Sequence, residues 1–173
     1  MYLEREKDIM IRFEQVNDTH LDDITTIYNS YILNTTATFN ILPLTMEEMK
    51  HIVYSGHQRF KSYAIFDQDV LVGYVLLARY KAREAYDKTA EVTVYLKTGC
   101  EGKGLGTQAI QFIEQLAVQL DFRALLAVIC AENTESVHMF EKSSYFKCGH
   151  FREVGEKFGR LLDVVVYEKI LSK

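Results

Sequence analysis

A glycine-rich turn between a strand-like run and an amphipathic run constrains the fold of this chain more than any other feature. Residues 91–97 are rich in β-branched side chains, glycines follow at positions 102, 104 and 106, and apolar residues then recur at helical spacing. Glycines let the backbone turn and point several N–H groups at one anion beside the positive end of a helix. The stretch therefore predicts a strand, a phosphate-binding turn and a helix, although similar glycine clusters also occur in tight connections that bind nothing.

The spacing of these glycines excludes two common nucleotide sites. A dinucleotide-binding G-x-G-x-x-G pattern that starts at Gly102 would need a third glycine where Thr107 stands. Lys103 is followed by glycine, whereas a Walker sequence requires serine or threonine after its lysine. If the turn binds a phosphate group, the ligand is of another kind.

Composition limits the classes of protein to which the chain can belong. Its 173 residues, 48% of them hydrophobic, suit one globular domain over residues 1–173. A formal net charge of −4 argues against a general nucleic-acid binder, and no apolar run is long enough to span a membrane. The three cysteines are odd in number and lack metal-ligand spacing, which favours reduced thiols, a cytoplasmic protein and no metal site.

Sequence periodicity places a strand and a helix early in the chain. Apolar and polar residues alternate over residues 9–16, which predicts a first strand. Apolar residues then recur at helical spacing as far as Asn34. We expect this helix to be capped by Asp18 or Thr19.

A second helix is predicted after the single proline, Pro43. Thr45 and Glu48 have the spacing of a capping box, in which each side chain binds the backbone N–H of the other residue. The predicted buried stripe of this helix consists of Met46, Met49, Ile52 and Val53.

The remaining elements decide the fold class. Residues 61–67 and 70–79 are apolar runs joined by a short polar turn, as in a hairpin. Other strands are predicted over residues 89–97, 125–131, 145–154 and 161–171, and helices follow the glycines and Asn133. Strands and helices are interleaved without strict alternation, which predicts an α/β chain of the α+β type. We expect a mixed, mostly antiparallel central sheet with helices on both faces.

The order of these elements resembles the GCN5-related N-acetyltransferase (GNAT) superfamily. Its acetyl-CoA motif, Arg/Gln-x-x-Gly-x-Gly/Ala, is similar to Glu101-Gly-Lys-Gly-Leu-Gly106, and a second motif is similar to the segment from Asn133 to Lys142. Further segments resemble the phosphinothricin and methionine sulfoximine acetyltransferase branch: residues 27–31, 36–40, 89–95 and 154–160, with Asp163 after them. The likeness extends from about residue 9 to 171.

The resemblance implies the GNAT fold and acetyl-CoA as the cofactor, with no metal. It also implies acetyl transfer to the primary amine of a small molecule, such as an amino acid or an analogue like phosphinothricin or methionine sulfoximine. A homodimer is implied as well, with the second subunit helping to close the acceptor site. We expect no nucleic-acid or membrane partner.

By the same resemblance, three groups of residues contact acetyl-CoA. The backbone of Val94, Tyr95 and Leu96 pairs with the pantetheine arm and polarises the thioester carbonyl. The diphosphate is bound by Gly102, Lys103, Gly104, Leu105, Gly106 and Thr107. Asn133 and Lys142 lie along the CoA arm, although Asn133 is equally suited to cap a helix and a solvated helix lysine is the default for Lys142.

Glu91 is the candidate catalytic residue. An α-amino group titrates near pH 8, so it must lose a proton before it attacks the thioester. Glu91 stands between Ala90 and Val92 on a strand rich in β-branched residues, where burial would raise the pKa of its carboxyl towards a useful range. The strand pattern alone favours an outward-facing carboxylate, and the resemblance assigns it the role of general base.

Candidate acceptor-binding residues come from two connecting segments and the first helix. Tyr31 and Phe39 are candidates to line the pocket, together with Tyr86 of the polar stretch 80–88. Arg83 could bind a substrate carboxylate through both guanidinium arms. The alternative for this stretch is a solvated charged loop.

Two departures from the family pattern keep alternatives open. Glu101 replaces the usual arginine or glutamine beside the expected diphosphate, which should weaken CoA binding. Phe140 stands where a tyrosine or histidine would protonate the departing thiolate. One alternative is a non-catalytic acyl-CoA-binding regulatory module, and another is an acetyltransferase that acts on a protein N-terminus or another amine.

Overall fold

The computed structural model describes residues 11–172, which form a seven-stranded sheet and four α-helices. The strands are β1 (Ile11–Gln15), β2 (Lys61–Asp67), β3 (Val70–Arg79), β4 (Thr89–Leu96), β5 (Ala124–Cys130), β6 (Phe146–Lys157) and β7 (Arg160–Ile170). The helices are α1 (Leu21–Asn34), α2 (Met46–Val53), α3 (Leu105–Gln119) and α4 (Thr134–Lys142). Residues 9 and 10 of the predicted first strand lie outside the described residues.

The sheet has the order β1-β2-β3-β4-β5-β7-β6. All neighbouring strands are antiparallel except β4 and β5, which are parallel. This confirms the predicted mixed, mostly antiparallel sheet. The hairpin of β2 and β3 has the predicted bounds.

Helices cover both faces of the sheet, as predicted. Side chains alternate between the faces of a strand, so β3 contributes Val75 and Leu77 to the core beneath α3 and α4. Tyr74 and Leu76 of the same strand pack in a second core with α1 and α2. The sheet therefore separates two apolar layers.

The cap of the first helix differs from the prediction. Asn17, rather than Asp18 or Thr19, starts a short 3₁₀ turn that runs into α1, and its Oδ1 accepts a hydrogen bond from the Thr19 N–H at 2.9 Å. The Asp18 carboxylate instead accepts hydrogen bonds from Lys50 and Tyr54, at 3.0 and 2.8 Å. Tertiary partners on α2 and just after it thus compete with the local capping role of Asp18.

The second helix has the predicted capping box but a narrower buried face. Glu48 N–H donates to Thr45 Oγ1 at 3.2 Å, and Thr45 N–H donates to Glu48 Oε2 at 2.8 Å. Met49 and Val53 are buried, whereas the predicted core residues Met46 and Ile52 are 51% and 40% exposed. A helix of two turns that lies against α1 at the edge of the fold buries one short i, i+4 stripe only.

The capping box gives a stability prediction. Thr45→Ala should lower the free energy of unfolding by about 1 kcal/mol, because the Glu48 N–H loses its acceptor and the Glu48 carboxylate loses the hydroxyl that helps to hold it. Thr45→Ser keeps the hydroxyl and is the matched control. Urea denaturation of the two variants measures the difference, and equal midpoints would show that the box contributes nothing.

The last hairpin extends further than the sequence predicts. The structure ends β6 at Lys157 and begins β7 at Arg160, whereas the prediction ended the first strand at residue 154. Phe158 and Gly159 form the two-residue turn, and both have positive φ angles, 53° and 70°. Phenylalanine gives no sequence signal for such a backbone conformation.

The two parallel strands separate along their length. β4 and β5 pair only from Thr89 with Ala124 to Glu91 with Leu126, and the remaining residues of the two strands do not pair with each other. This divergence opens the sheet at its centre. None of the helices within residues 11–172 is both long and apolar enough to cross a membrane.

Candidate active site

The opening between β4 and β5 is a cleft of about 470 Å³ that continues to the glycine turn and to α4. Most of the predicted cofactor residues line it. They are Val94, Tyr95, Leu96, Gly102, Gly104, Leu105, Gly106, Thr107, Asn133 and Lys142. The predicted acceptor residue Tyr31 lines it as well.

The glycine turn forms a cradle at the mouth of the cleft. Gly102 and Gly104 have φ angles of 75° and 77°, the left-handed region that favours glycine, and Gly104 is the N-cap of α3. The first N–H groups of an α-helix have no partner within the helix, and they carry its positive end. A Cβ added at either glycine would meet no atom within 4 Å, so the cradle is open to a ligand. This donor set fits a diphosphate.

Gly106 has a different role from the other two glycines. A Cβ at this position would collide with Met139 Sδ, because α3 and α4 approach closely beside the cleft. The residue thus permits close helix packing rather than a special backbone angle. This packing fixes the position of the cradle relative to α4.

The β5-facing edge of β4 supplies further polar groups. Because β4 has left β5 beyond Glu91, the backbone groups on that edge are available to a ligand in the cleft. Tyr31 OH donates to the Leu96 carbonyl at 2.8 Å, and its ring contacts that of Tyr95 edge-on, with centroids 5.0 Å apart. α1 is thereby fixed against the far end of the cleft wall.

Glu91 lies where the two strands part. Its neighbours Ala90 and Val92 face the core beneath α3, so Glu91 faces the opposite side of the sheet, with Tyr95. Burial raises the pKa of the Glu91 carboxyl above its ordinary value. Within residues 11–172 this carboxylate has neither a hydrogen bond nor an ion pair with a side chain. A desolvated, unpaired carboxylate can accept a proton.

The α4 side of the cleft combines helix-capping and lining residues. Asn133 caps α4, since its Oδ1 accepts a hydrogen bond from the Ser136 N–H at 3.2 Å, and it also lines the cleft. Phe140 lines the cleft from within the core, with its ring 5.0 Å from that of Tyr145. It offers no proton to a leaving group. His138 of α4 is exposed and also lies on the cleft wall.

Five predicted site residues do not line the cleft. Lys103 is an exposed residue of the glycine turn, and Glu91 lies at the last pair of β4 with β5, just before the strands part. Phe39 packs on Gly155 of β6, where an added Cβ would approach its ring to 2.5 Å. Arg83 is exposed and precedes a short 3₁₀ turn, in which the Tyr86 ring packs against Tyr80.

The sequence did not reveal how the segment from residue 35 to 44 is held. Lys157 is buried, and its Nζ donates to the Thr38 carbonyl at 2.8 Å; this burial lowers the pKa of its ammonium. Glu132 accepts hydrogen bonds from Thr36 and from Arg160, both at 2.8 Å. These contacts tie the segment to the hairpin of β6 and β7.

Comparison with known proteins agrees with this geometry. The family model described as "Acetyltransferase (GNAT) domain" matches residues 13–166. A phosphinothricin N-acetyltransferase of Streptomyces coelicolor is 31% identical over 155 residues, which cover 87% of this chain and 91% of the relative. An L-methionine sulfoximine/L-methionine sulfone acetyltransferase of Pseudomonas paraeruginosa is 28% identical over 147 residues, covering 83% and 85%.

A solved structure shows the same fold. The phosphinothricin acetyltransferase of Sinorhizobium meliloti in complex with AcCoA superposes with a TM-score of 0.88 at 24% identity, covering 93% of this chain and 88% of that one. The family match extends over both strands of the cleft and the glycine cradle. The chain therefore belongs to the GNAT acetyltransferase family and is an N-acetyltransferase that uses acetyl-CoA.

Proposed function

We propose that residues 1–173 act as one domain that transfers the acetyl group directly from acetyl-CoA to the primary amine of an amino acid or analogue. Phosphinothricin and methionine sulfoximine are the first candidates, because the Streptomyces and Pseudomonas relatives carry those names. The observation that supports direct transfer is the position of Glu91. A desolvated, unpaired carboxylate lies where the two strands of the cofactor cleft part.

Glu91 is the general base of this proposal. The acceptor amine is largely protonated near pH 7, so the carboxylate must take a proton from it, directly or through a water molecule. The raised pKa of Glu91 makes it a stronger base than an ordinary glutamate. An amine that approaches from the Tyr95 side of the sheet meets this group first.

The backbone positions the other reactant. Bound acetyl-CoA supplies a thioester whose acetyl group is activated for attack. The cradle from Gly102 to Thr107 holds the diphosphate, and N–H groups of residues 94–96 orient and polarise the thioester carbonyl. Phe140 donates no proton, so the thiol leaves as thiolate. Its ordinary pKa near 8.5 makes this a fair leaving group without an acid.

The acceptor is surrounded by residues from three segments. Tyr31 provides the aromatic wall nearest the cleft. Phe39, Arg83 and Tyr86 belong to the adjoining connections and contact the acceptor when it is bound. Of the three cations in the 80–88 stretch, Lys88 already pairs with Asp121 at 2.7 Å, and Lys81 lies over the rings of Tyr80 and Tyr86. Arg83 is therefore the group that we assign to the substrate carboxylate.

An acceptor panel tests this function. Release of CoA thiol from acetyl-CoA should require an amino acid or analogue, with methionine sulfoximine and phosphinothricin among the best acceptors. A peptide with a free N-terminus should be a poor one. Preference for the peptide would contradict the small-molecule assignment. Tight acetyl-CoA binding with no turnover for any amine would instead support a regulatory module.

We also propose a cytoplasmic homodimer formed through the tip of the last hairpin. We define the hairpin patch as Phe151, Val154, Phe158 and Leu161, which are 53%, 59%, 56% and 57% exposed. Four large apolar side chains this exposed on one hairpin mark a contact surface. A second copy is the occupant that the family resemblance implies. The three cysteines, none of which forms a disulfide within residues 11–172, suit the cytoplasm.

Replacing two residues of the hairpin patch should dissociate the dimer. The double variant Phe158→Glu with Leu161→Glu places like charges on the surface that the copies share, so the molar mass in light scattering should halve. Val118→Glu, at a 45% exposed residue of α3, is the matched control and should stay dimeric. A wild-type monomer at micromolar concentration would refute the proposal.

A further inference from the structure

The carboxylate of Glu101 lies at the mouth of the diphosphate cradle. Its Oε2 accepts a hydrogen bond from the Gly99 N–H at 2.6 Å, and Glu101 itself lines the cleft beside Gly102 and Gly104. The Glu101 carboxylate is thus held by a backbone N–H of the turn that precedes the cradle, and Gly99 itself does not line the cleft. Arginine or glutamine, the residues usual at this position of the motif, would not supply that negative charge.

The backbone is shaped to hold this contact. Gly99 has a φ of 86°, and the Cys100 N–H donates to the Lys97 carbonyl at 2.9 Å. Residues 97–101 therefore fold into a tight turn that directs the Gly99 N–H back at the Glu101 side chain. The contact is part of the fold of the turn rather than a loose surface interaction.

The charge of Glu101 affects the ionisation of a tyrosine that lines the cleft. Burial chiefly, and the Glu101 carboxylate next, raise the pKa of Tyr31. Tyr31 lines the same cleft as the cradle glycines. Lys103, the nearest cation in sequence, lies outside the lining of the cleft and does not pair with Glu101 within the described part of the chain.

We propose that the Glu101 carboxylate, which the Gly99 N–H holds at the mouth of the cradle, repels the cofactor diphosphate and lowers the affinity for CoA. The inference rests on the proposed placement of the diphosphate at residues 102–107. Two diphosphate charges roughly 6 Å from a carboxylate that is surrounded by water lose about tenfold in affinity at the dielectric constant of bulk water. Glu101 therefore makes the protein's affinity for CoA more similar to its affinity for pantetheine compounds that lack the diphosphate.

Calorimetry on Glu101→Gln tests the proposal without turnover. Glutamine keeps an acceptor oxygen for the Gly99 N–H, so the turn is retained while the charge is lost. The variant should bind CoA and 3′-dephospho-CoA about tenfold more tightly than wild type. Its affinity for pantetheine, which has no phosphate, should not change. CoA binding should also weaken more steeply with salt than in wild type, because one repulsive charge is gone.

Glu135→Gln is the matched control. Glu135 is an exposed glutamate that lines the same cleft from α4, and its charge also raises the pKa of Tyr31, so it shares the cleft but not the turn before the cradle. An equal gain in CoA affinity for both variants would assign the effect to the general potential of the cleft and overturn the proposal. Equal CoA affinities for Glu101→Gln and wild type would overturn it as well. Failure of both proteins to bind CoA would refute the cofactor placement itself.

Discussion

Replacing Glu91 with glutamine should lower kcat/KM for the acceptor by about 10²- to 10⁴-fold, because the amine then loses the group that takes its proton. Glutamine has nearly the same shape, and Glu91 lies outside the lining of the cofactor cleft. Binding of acetyl-CoA should therefore be unchanged. Steady-state kinetics with a saturating cofactor, together with calorimetry of CoA binding, measure the two quantities.

The pH profile separates a catalytic base from a structural residue. A general base must be deprotonated, so wild-type kcat/KM should rise with pH through the raised pKa of Glu91, and the variant should lack this limb. A raised folded-state pKa contributes stability at low pH that is lost as pH rises through it. Glu91→Gln should thus be at least as stable as wild type at neutral pH.

A second carboxylate provides the control for Glu91. Glu168 of β7 lies in the same row of the sheet, since Leu126 pairs with both Glu91 and Glu168. Glu168→Gln removes a strand carboxylate from the same face and should keep activity. Equal losses of kcat/KM in Glu91→Gln and Glu168→Gln would show that activity depends on the negative charge of this sheet face and not on a base at Glu91.

Substitution of Gly102 should produce the second large effect. Gly102→Asp places a carboxylate in the open space of the cradle and should weaken CoA binding about tenfold more than Gly102→Asn. Aspartate and asparagine both tolerate the left-handed backbone, so the pair differs in charge alone. Calorimetry with CoA measures the difference.

Thermal melting of Gly102→Asp and Gly102→Asn is the control for effects of the substitutions on stability. The two variants should melt at similar temperatures, because a Cβ at Gly102 meets no atom within 4 Å. If both bind CoA as wild type does, the diphosphate does not lie in the cradle. If asparagine weakens binding as much as aspartate, side-chain bulk rather than charge disturbs the site.

Local patterns predicted much of this fold. The hairpin of β2 and β3 was predicted with its observed bounds because two apolar runs flank a short polar turn. The capping box at Thr45 and the helix after the glycines were likewise visible in neighbouring residues. Such features depend on residues a few positions apart, which a sequence displays directly.

The errors occurred where tertiary contacts override local preference. Asp18 is a good N-cap by type, but Lys50 and Tyr54 bind its carboxylate, and Asn17 caps instead. Met46 and Ile52 have apolar side chains at helical spacing, yet no layer formed by residues 11–172 covers that side of a two-turn helix at the edge of the fold.

The candidate site was also predictable only where its residues are close together in the sequence. The cradle glycines and Asn133 lie in continuous motifs, and the structure brings them to one cleft. The contacts that hold the segment from residue 35 to 44 against the β6–β7 hairpin were not predictable. Thr36 and Glu132 are 96 residues apart, and Lys157 is 119 residues from Thr38. No local periodicity encodes contacts of that range.

A quenched single turnover tests direct acetyl transfer most directly. Enzyme loaded with acetyl-CoA is mixed with methionine sulfoximine, and the reaction is quenched at successive times. Mass spectrometry then measures the masses of the protein and of the small molecule. The acetyl group should appear on the amine of the small molecule while the mass of the protein stays that of the unmodified chain. An acetylated protein that forms before the product, or acetyl-CoA that stays bound and unconsumed, would contradict direct transfer.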